Sequence, residues 1–231
     1  MDTTVNTQTA ENVKLAKPRA VLFDWDDTLV DSWKSSVEAL NTTLVAMGHE
    51  AWPEEEMRRR AGPSARELFP ALFGDDWEKA EKVFYDTFNQ VFLKNICVLP
   101  GAVDLLNLLR DNQVMMCVVS NKRNHYLRAE AEHLKWENYF KKIVGAGDAA
   151  RDKPSPDPAL LALSALDIPA AEDVWFIGDS HTDMMCAHTA GCTPVLLETK
   201  LPPEDVLKKY PPALRVKDCF KLMEYTKDYF T

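Results

Sequence analysis

The chain has 231 residues, of which 46% are hydrophobic and 10% aromatic, and this supplies a packed core for one large domain or two small ones. Its formal net charge is -9 at pH 7, spread over many short acidic and basic stretches. Such a distribution argues against a nucleic-acid backbone or an anionic membrane as the partner.

The N-terminal segment, residues 1–17, is polar and has neither the apolar core of a secretion signal nor the Arg-rich pattern of a transit peptide. No later run approaches the roughly 18 consecutive apolar residues of a membrane span. The five cysteines form no CxxC pair, and several lie in apolar runs, as reduced thiols do. We therefore expect a cytoplasmic protein with a flexible N-terminal tail.

Six short runs of apolar or β-branched residues predict the strands of a parallel sheet. Segments of helical length and period separate the later runs, and this alternation is typical of βαβ units. Val216, Phe220 and Met223 predict an amphipathic helix that closes the chain. The predicted strands lie at residues 20–23, 114–119, 142–145, 174–178, 194–197 and 213–216.

About ninety residues separate the first two predicted strands, and most of them have helical period. Trp33, Val37 and Leu40 begin the apolar face of a first helix, which Gly48 ends. The sequence thus predicts an α/β fold interrupted by an all-helical insert at residues 34–97. Three further helices are predicted there: one from Pro53, one at 65–73, and one along Trp77, Phe84, Phe88 and Val91.

The aromatic stripe of the fourth predicted helix has two interpretations. Its rings could line a pocket, or they could form the small core of the insert. Ordinary helix amphipathicity favours the core interpretation for most of them. The stripe comprises Trp77, Phe84, Tyr85, Phe88 and Phe92.

The sequence VLFDWDDTLVDS, residues 21–32, crowds carboxylates onto the end of a predicted buried strand. In open parallel sheets the ligand site lies beyond the carboxyl ends of the strands. Other predicted strands also end in polar residues, so all of these side chains are expected at one rim. They are Asp24, Asp26, Asp27 and Thr28, then Ser120, Asn121 and Lys122, then Asp179, Ser180 and Asp183, with Lys153 in the loop after residues 142–145.

Carboxylates that converge repel each other, and one takes up a proton unless a cation lies between them. Oxygen ligands with room for water favour Mg²⁺ over zinc. With Mg²⁺ bound, one Asp becomes available as a nucleophile toward a phosphoryl group, while Asp26 can serve as general acid and base. The leaving-group charge would then be shared by the metal and Lys153.

Helix capping is the structural alternative for each of these residues taken singly. Asp24 or Asp26 could be an N-cap, Asp179-Ser180 could cap a helix at 181–190, and Ser120-Asn121 could begin the next helix. Capping explains them poorly when they are taken together, because each lies at a strand end.

Four motifs resemble those of the haloacid dehalogenase superfamily of phosphatases, in the same order: DWDDT at 24–28, Ser120 at a strand end, DKPSPDP at 152–158 and GDSHTD at 178–183. The chain most resembles the phosphoglycolate phosphatase-like branch, because the insert falls between the first two motifs and VVSNK, DKPSPDPAL and FIGDSHTDMMCAHTAGC are similar to that branch. The resemblance implies a Rossmann-like core, residues 18–33 and 98–231, with a mobile helical cap, residues 34–97.

The resemblance also implies a role for each motif residue. Asp24 would be the nucleophile that forms an aspartyl-phosphate, and Asp26 the acid and base. Asp27 stands where the family usually has Gly and adds charge near the metal. Thr28, Ser120, Asn121 and Lys153 would bind the phosphoryl group, and Asp24, the Asp26 carbonyl and Asp179 would ligate Mg²⁺, with Asp183 behind them or reaching the ion through water.

Selectivity among phosphate esters must come from residues that the insert brings over the leaving group. The break at AGPSARE, residues 61–67, is the best candidate, since in similar proteins this loop faces the active site. Arg66 either pairs there with a carboxylate or second phosphate of the substrate, or lies on the solvated face of its helix. Ser64 and Trp25 are further candidates for contact with the leaving group.

The leading hypothesis is a Mg²⁺-dependent phosphatase acting on a small soluble ester such as phosphoglycolate, a sugar phosphate, a nucleotide or pyrophosphate. A sugar phosphomutase of the same fold would carry the same core motifs. A non-catalytic module that binds a phospho-ligand is a third hypothesis, against which the intact Asp24, Asp26 and Lys153 argue. The motif order excludes a signalling receiver, and the protein is expected to be a monomer or homodimer.

Overall fold

The computed structural model describes residues 14–60, 65–199, 202 and 204–230. Most of the expected N-terminal tail and the candidate Ser64 therefore lie outside the described residues. Strand β1 (Ala20–Phe23) is the centre of the fold, and all four of its residues are fully buried. A continuous apolar run is expected for a parallel strand that is covered on both faces.

The main sheet has six parallel strands. Strand β1 has two strands on one side and three on the other. Its remaining strands are β4 (Met115–Arg123), β5 (Lys142–Ala146), β6 (Val174–Gly178), β7 (Thr193–Leu197) and β8 (Leu214–Val216). The strand order is β5-β4-β1-β6-β7-β8, so the connections run outward in two directions from β1. This confirms the predicted α/β fold, and a ligand site is expected where the direction of winding changes.

Helices cover both faces of the sheet. Val21 and Phe23 of β1 pack against α5 (Ala102–Asp111) and α10 (Cys219–Lys227), while Ala20 and Leu22 pack against α7 (Asp157–Ser164) and α8 (His181–Ala190). The alternation follows from successive strand side chains pointing to opposite faces. Two more core helices are α6 (Asn124–His133) and α9 (Glu204–Lys209). Among the described residues, none of the helices is long and apolar enough to cross a lipid bilayer.

A ribbon of two short strands connects the helical insert to the sheet domain. Strands β2 (Val30–Asp31) and β3 (Cys97–Val98) pair antiparallel, so the chain leaves and returns at one place. Two-residue strands have no readable periodicity, and the sequence did not predict them. The insert helices between them are α1 (Trp33–Ala46), α2 (Glu54–Arg60), α3 (Ala65–Phe73) and α4 (Trp77–Val91). Their treatment as a separate domain stays a prediction.

The aromatic stripe of α4 serves two clusters. Phe84 packs against the insert's own core, which includes Leu44, Phe69 and Phe73. Phe88 instead joins a cluster with Tyr126 of α6, with the two ring centroids 5.0 Å apart. The stripe is therefore partly the contact between the insert and the sheet domain.

The predicted face of the closing helix is wrong. Asp218 caps α10 by accepting a hydrogen bond from the Lys221 main-chain N–H, so Val216 lies in β8 and not in the helix. The buried face consequently contains Cys219 and Leu222, and Phe220 is 46% exposed.

Candidate active site

The carboxyl ends of β1, β4 and β6 and the loop after β5 meet at one edge of the sheet. Asp24, Ser120, Lys153 and Asp179 lie there, and each is at least nine-tenths buried. All four line one cavity, together with Asp26 and Asn121. The strand-end rule thus located these side chains correctly.

Lys153 lies between two carboxylates in the interior of the site. Its Nζ donates hydrogen bonds to Asp24 Oδ1 at 2.7 Å and to Asp183 Oδ1 at 2.6 Å. Burial disfavours the ammonium, but the charges of Asp183 and Asp24 outweigh burial and raise the pKa of Lys153 above its usual range. Lys153 is therefore charged at physiological pH.

The pKa of the Asp24 carboxyl is raised to about 7. Burial is the largest cause, the nearby Asp183 charge adds to it, and Lys153 opposes both. A buried carboxylate at this position is costly as long as its neighbours remain negative. A second positive charge in the site would therefore stabilise the Asp24 carboxylate.

Asp24, Asp179 and Asp183 offer carboxylate oxygens that all lie within 4.8 Å of one another. All three residues are buried, and Lys153 contacts two of them, Asp24 and Asp183. An all-oxygen donor set of buried carboxylates fits Mg²⁺ and not a soft transition metal. These residues could therefore hold the magnesium ion expected from the sequence.

Asp183 also takes part in the capping box of α8, whose N-cap is Ser180, so the capping interpretation of this motif is confirmed. Its Oδ2 accepts hydrogen bonds from the Ser180 main-chain N–H at 2.9 Å and from the Ser180 hydroxyl at 2.5 Å. Gly178 makes room for it, because a Cβ at that position would lie 2.4 Å from Asp183 Cγ. Capping fixes the side chain while Oδ1 faces Lys153.

Asp26 lies at the mouth of the same cavity, and its side chain is 33% exposed. Lys122 Nζ donates a hydrogen bond to Asp26 Oδ1 at 2.8 Å, and the Ser32 hydroxyl donates to the same oxygen. Both contacts fix one carboxylate oxygen, which leaves Oδ2 available for proton transfer.

Glu130 of α6 holds Lys122 in place, although it belongs to none of the sequence motifs. Lys122 Nζ donates to the two Glu130 carboxylate oxygens at 2.8 and 2.7 Å, and Trp25 Nε1 donates to Oε2 at 2.7 Å. Burial raises the pKa of fully buried Glu130, while Lys122 opposes the shift. The sequence signal that could have identified Glu130 is its position beside Leu127 and Ala131, as a charged residue on an otherwise apolar helix face.

Four of the sequence candidates among the described residues do not line the cavity, namely Trp25, Thr28, Arg66 and Asp183. Trp25 is fully buried against Trp136 and Phe140, because it points to the opposite side from its neighbours Asp24 and Asp26. Its expected contact with the leaving group is therefore wrong. Thr28 is also fully buried, and its hydroxyl has no hydrogen-bond partner among the described residues.

Asn121 and Arg66 both act on the loop that carries Lys153. The Asn121 side chain donates to the Lys153 carbonyl and accepts from the Lys153 main-chain N–H, both at 2.9 Å. Arg66 binds the buried Asp152 carboxylate with Nε at 2.5 Å and Nη2 at 2.6 Å. Arg66 thus pairs with a carboxylate of its own chain, an arrangement that the sequence alternatives did not include.

Asp27 adopts the left-handed backbone conformation expected for a residue in place of Gly, with φ of 57°. Its N–H donates to the Val30 carbonyl at 2.7 Å, and its carbonyl accepts from the Thr199 hydroxyl at 2.7 Å. The turn therefore tolerates Asp, and its side chain adds a carboxylate to the cavity lining.

Comparisons with known proteins all indicate the same family. The haloacid dehalogenase-like hydrolase family matches residues 21–197. Phosphoglycolate phosphatase 1 of Pseudomonas aeruginosa is 32% identical over 184 residues, which cover 75% of this chain and 67% of that protein. PpaX of Caldanaerobacter subterraneus, provisionally named a pyrophosphatase, is 27% identical over 212 residues, which cover 91% of this chain and 96% of that protein.

Solved structures share the same architecture. A haloacid dehalogenase superfamily hydrolase from Ehrlichia chaffeensis has a TM-score of 0.64 and 28% identity, covering 94% of this chain and 100% of its own. A provisionally assigned haloacid dehalogenase-like hydrolase from Bacteroides fragilis has a TM-score of 0.82 and 23% identity, covering 89% and 100%. At 23% identity, the Bacteroides fragilis structure shows only that the fold is shared.

Replacing Asp24 with Asn is expected to change stability in a pH-dependent way. The folded-state pKa of about 7 lies above the unfolded value of about 3.9, so the wild-type protein loses stability as pH rises through this window. Asn mimics the protonated carboxyl and avoids that loss. In EDTA, urea unfolding should show a gain for Asp24→Asn of only about 1 kcal/mol at pH 4.5 and on the order of 2–4 kcal/mol at pH 8.

The control for this prediction is Asp104→Asn, on the exposed surface of α5. Its effect should be small at both pH values. A difference between Asp24→Asn and wild type that stays constant from pH 4.5 to pH 8 would contradict the assignment of a costly buried charge.

Lys122→Met is expected to destabilise the fold by about 3–5 kcal/mol, because it leaves the Glu130 carboxylate buried without its cation. The double variant Lys122→Met/Glu130→Gln should recover much of this loss, since neither buried charge then remains. Urea unfolding of the two variants measures the difference. Equal destabilisation of both would show that the pair is not the cause.

Proposed function

Because this chain belongs to the haloacid dehalogenase-like hydrolase family, we propose that it is a Mg²⁺-dependent phosphatase that hydrolyses a small phosphate monoester through an aspartyl-phosphate on Asp24. The buried ion-paired group of Asp24, Lys153 and Asp183, open to a cavity that also holds Asp26, carries this proposal. The relatives named as phosphoglycolate phosphatases support the reaction class.

Asp24 attacks the phosphorus, and the bond from phosphorus to the ester oxygen breaks. Lys153 contacts Asp24 already and offsets the negative charge that accumulates as the phosphate approaches. Ser120 lies at the edge of the same cavity, where its hydroxyl can donate to a phosphoryl oxygen. Asn121 fixes the Lys153 backbone, so the ammonium does not have to reorganise during the reaction.

Asp26 protonates the departing ester oxygen and then removes a proton from the water that hydrolyses the aspartyl-phosphate. General acid and base catalysis of this kind typically contributes about 10²–10⁴-fold. Lys122 and Ser32 hold Oδ1 of Asp26, and Oδ2 is the oxygen left for both proton transfers. Lys122 is a positioning residue under this proposal, since it acts through Asp26.

Asp24, Asp179, Asp183 and the main-chain carbonyl of Asp26 would hold Mg²⁺. The fit rests on the all-oxygen donor set of three buried carboxylates, whose oxygens lie within 4.8 Å of one another. The bound ion would neutralise negative charge on the phosphoryl group.

A sugar phosphomutase differs from this proposal only in its products, and no feature of the described residues favours it. A non-catalytic binding module would not require a general acid, and the three-residue support of Asp26 by Lys122, Glu130 and Ser32 argues against it. We also propose a reducing compartment such as the cytoplasm, because all five thiols are free.

Phosphate release from a panel of phosphate monoesters, with Mg²⁺ and with EDTA, tests the proposed function. Wild-type protein should release phosphate only with the metal, and Asp24→Asn should lose at least about 10³-fold in kcat, because no covalent intermediate can form. The exposed variant Asp104→Asn should retain wild-type activity. Folded, Mg²⁺-binding protein that hydrolyses none of the panel would contradict the phosphatase assignment, and isomer products would indicate a mutase.

A further inference from the structure

The cavity that contains Asp24 and Asp26 has a volume of about 470 Å³ and extends from the sheet edge into the helical insert. This volume is within the range of pockets that enclose drug-sized ligands. The phosphate-binding residues lie at one end only. Most of the cavity is therefore available to the leaving group.

The walls of the insert half are mainly apolar, although Arg59 and Arg60 of α2 also line the cavity. We call the apolar part the insert chamber and define it by Val37 and Leu40 of α1, Leu68 and Phe69 of α3, and Phe84 and Phe88 of α4. Phe84 lies in the middle of a ring cluster, with centroids 5.4 Å from Phe69 and 5.6 Å from Phe88. Aromatic walls of this kind favour another ring in edge or offset contact.

The cations that line the cavity already have carboxylate partners. Arg123 at the boundary binds Glu81 at 2.8 Å, and its guanidinium lies over the Tyr85 ring at 4.3 Å. Arg59 and Arg60 both bind Glu56, at 2.7 and 2.5 Å. At the phosphate end, Lys153 and Lys122 are held by Asp24, Asp183, Asp26 and Glu130.

Among the described residues, each cation that lines the cavity has a carboxylate partner, although Arg59 and Arg60 share the single carboxylate of Glu56 and their side chains are 68% and 42% exposed. A carboxylate or second phosphate held against the apolar walls of the chamber itself would therefore meet no cation that is free of such a pair. Burying an unpaired charge against apolar walls is strongly unfavourable. The chamber thus disfavours a charged leaving group.

We propose that the insert chamber binds the leaving group, and that the preferred substrate is a phosphate monoester whose alcohol carries an apolar ring and no further charge. This inference rests on the proposed phosphatase function and specifies its substrate class. A two-carbon acid such as that of phosphoglycolate would leave the apolar walls in contact with water. A ring-bearing alcohol covers the walls while its phosphate reaches Asp24.

A series of alkyl phosphates with similar leaving-group chemistry tests the inference. Each methylene that enters the chamber should raise kcat/KM about threefold to fourfold, by the hydrophobic transfer of a CH₂ group. We expect kcat/KM for benzyl and 2-phenylethyl phosphate to exceed that for ethyl phosphate at least tenfold, and to exceed that for 2-phosphoglycolate. Benzyl and ethyl phosphate both release primary alcohols, so their ester bonds have similar intrinsic reactivity. A difference in kcat/KM between them therefore reports binding of the leaving group.

Leu68→Lys places a cation in the chamber and should reverse the preference. Its kcat/KM for benzyl phosphate should fall about tenfold or more, and that for 2-phosphoglycolate should rise relative to wild type. Leu72→Lys is the matched control, because Leu72 is half-buried one turn later on α3 and does not line the cavity. It should keep the wild-type order of substrates, which separates chamber chemistry from loss of stability.

The outcomes distinguish the two proposals. If wild-type protein hydrolyses none of the esters, the phosphatase function fails and the inference fails with it. If ethyl phosphate and 2-phosphoglycolate are hydrolysed but benzyl phosphate is no better than either, the phosphatase function stands and the inference is overturned. The wild-type series decides this even where a variant does not fold.

Discussion

The buried ammonium of Lys153 between Asp24 and Asp183 is the interaction on which the rest of the site depends. Without it, three carboxylates within 4.8 Å would face one another in a water-poor interior. The fold is arranged to support this contact. Parallel strands deliver Asp24 and Asp179 to one edge, Asn121 clamps the Lys153 backbone, and the cap of α8 fixes Asp183.

The cavity joins two environments with opposite requirements. Its sheet end is charged, and Lys153, Lys122 and Asp183 there are each held by two or more hydrogen bonds, as a preorganised site for phosphoryl transfer requires. Its insert end is mainly apolar, and Arg123 at the boundary is paired with Glu81. Asp26 lines the same cavity, and a buried chain from Trp25 through Glu130 and Lys122 fixes its carboxylate.

Local pattern predicted the six strands of the main sheet, most of the helices and the polar residues at strand ends, because burial on both faces and the ends of parallel strands leave clear marks in a sequence. Side-chain partners were less predictable. The pairing of Arg66 with Asp152 and the burial of Glu130 depend on contacts between residues far apart in the chain. Phe84 and Phe88 follow ordinary helix amphipathicity, yet they also line the cavity, since one apolar face can serve a core and a pocket together.

The central claim is that Asp24 becomes covalently phosphorylated, and acid-quenched mass spectrometry of Asp26→Asn tests it most directly. p-Nitrophenyl phosphate has a leaving group that needs no general acid, so this variant should form the aspartyl-phosphate but hydrolyse it slowly. We predict one added phosphoryl group on the peptide that contains Asp24, and none in Asp24→Asn/Asp26→Asn. An unmodified Asp26→Asn protein, under conditions in which the wild type releases phosphate from the same ester, would contradict the account.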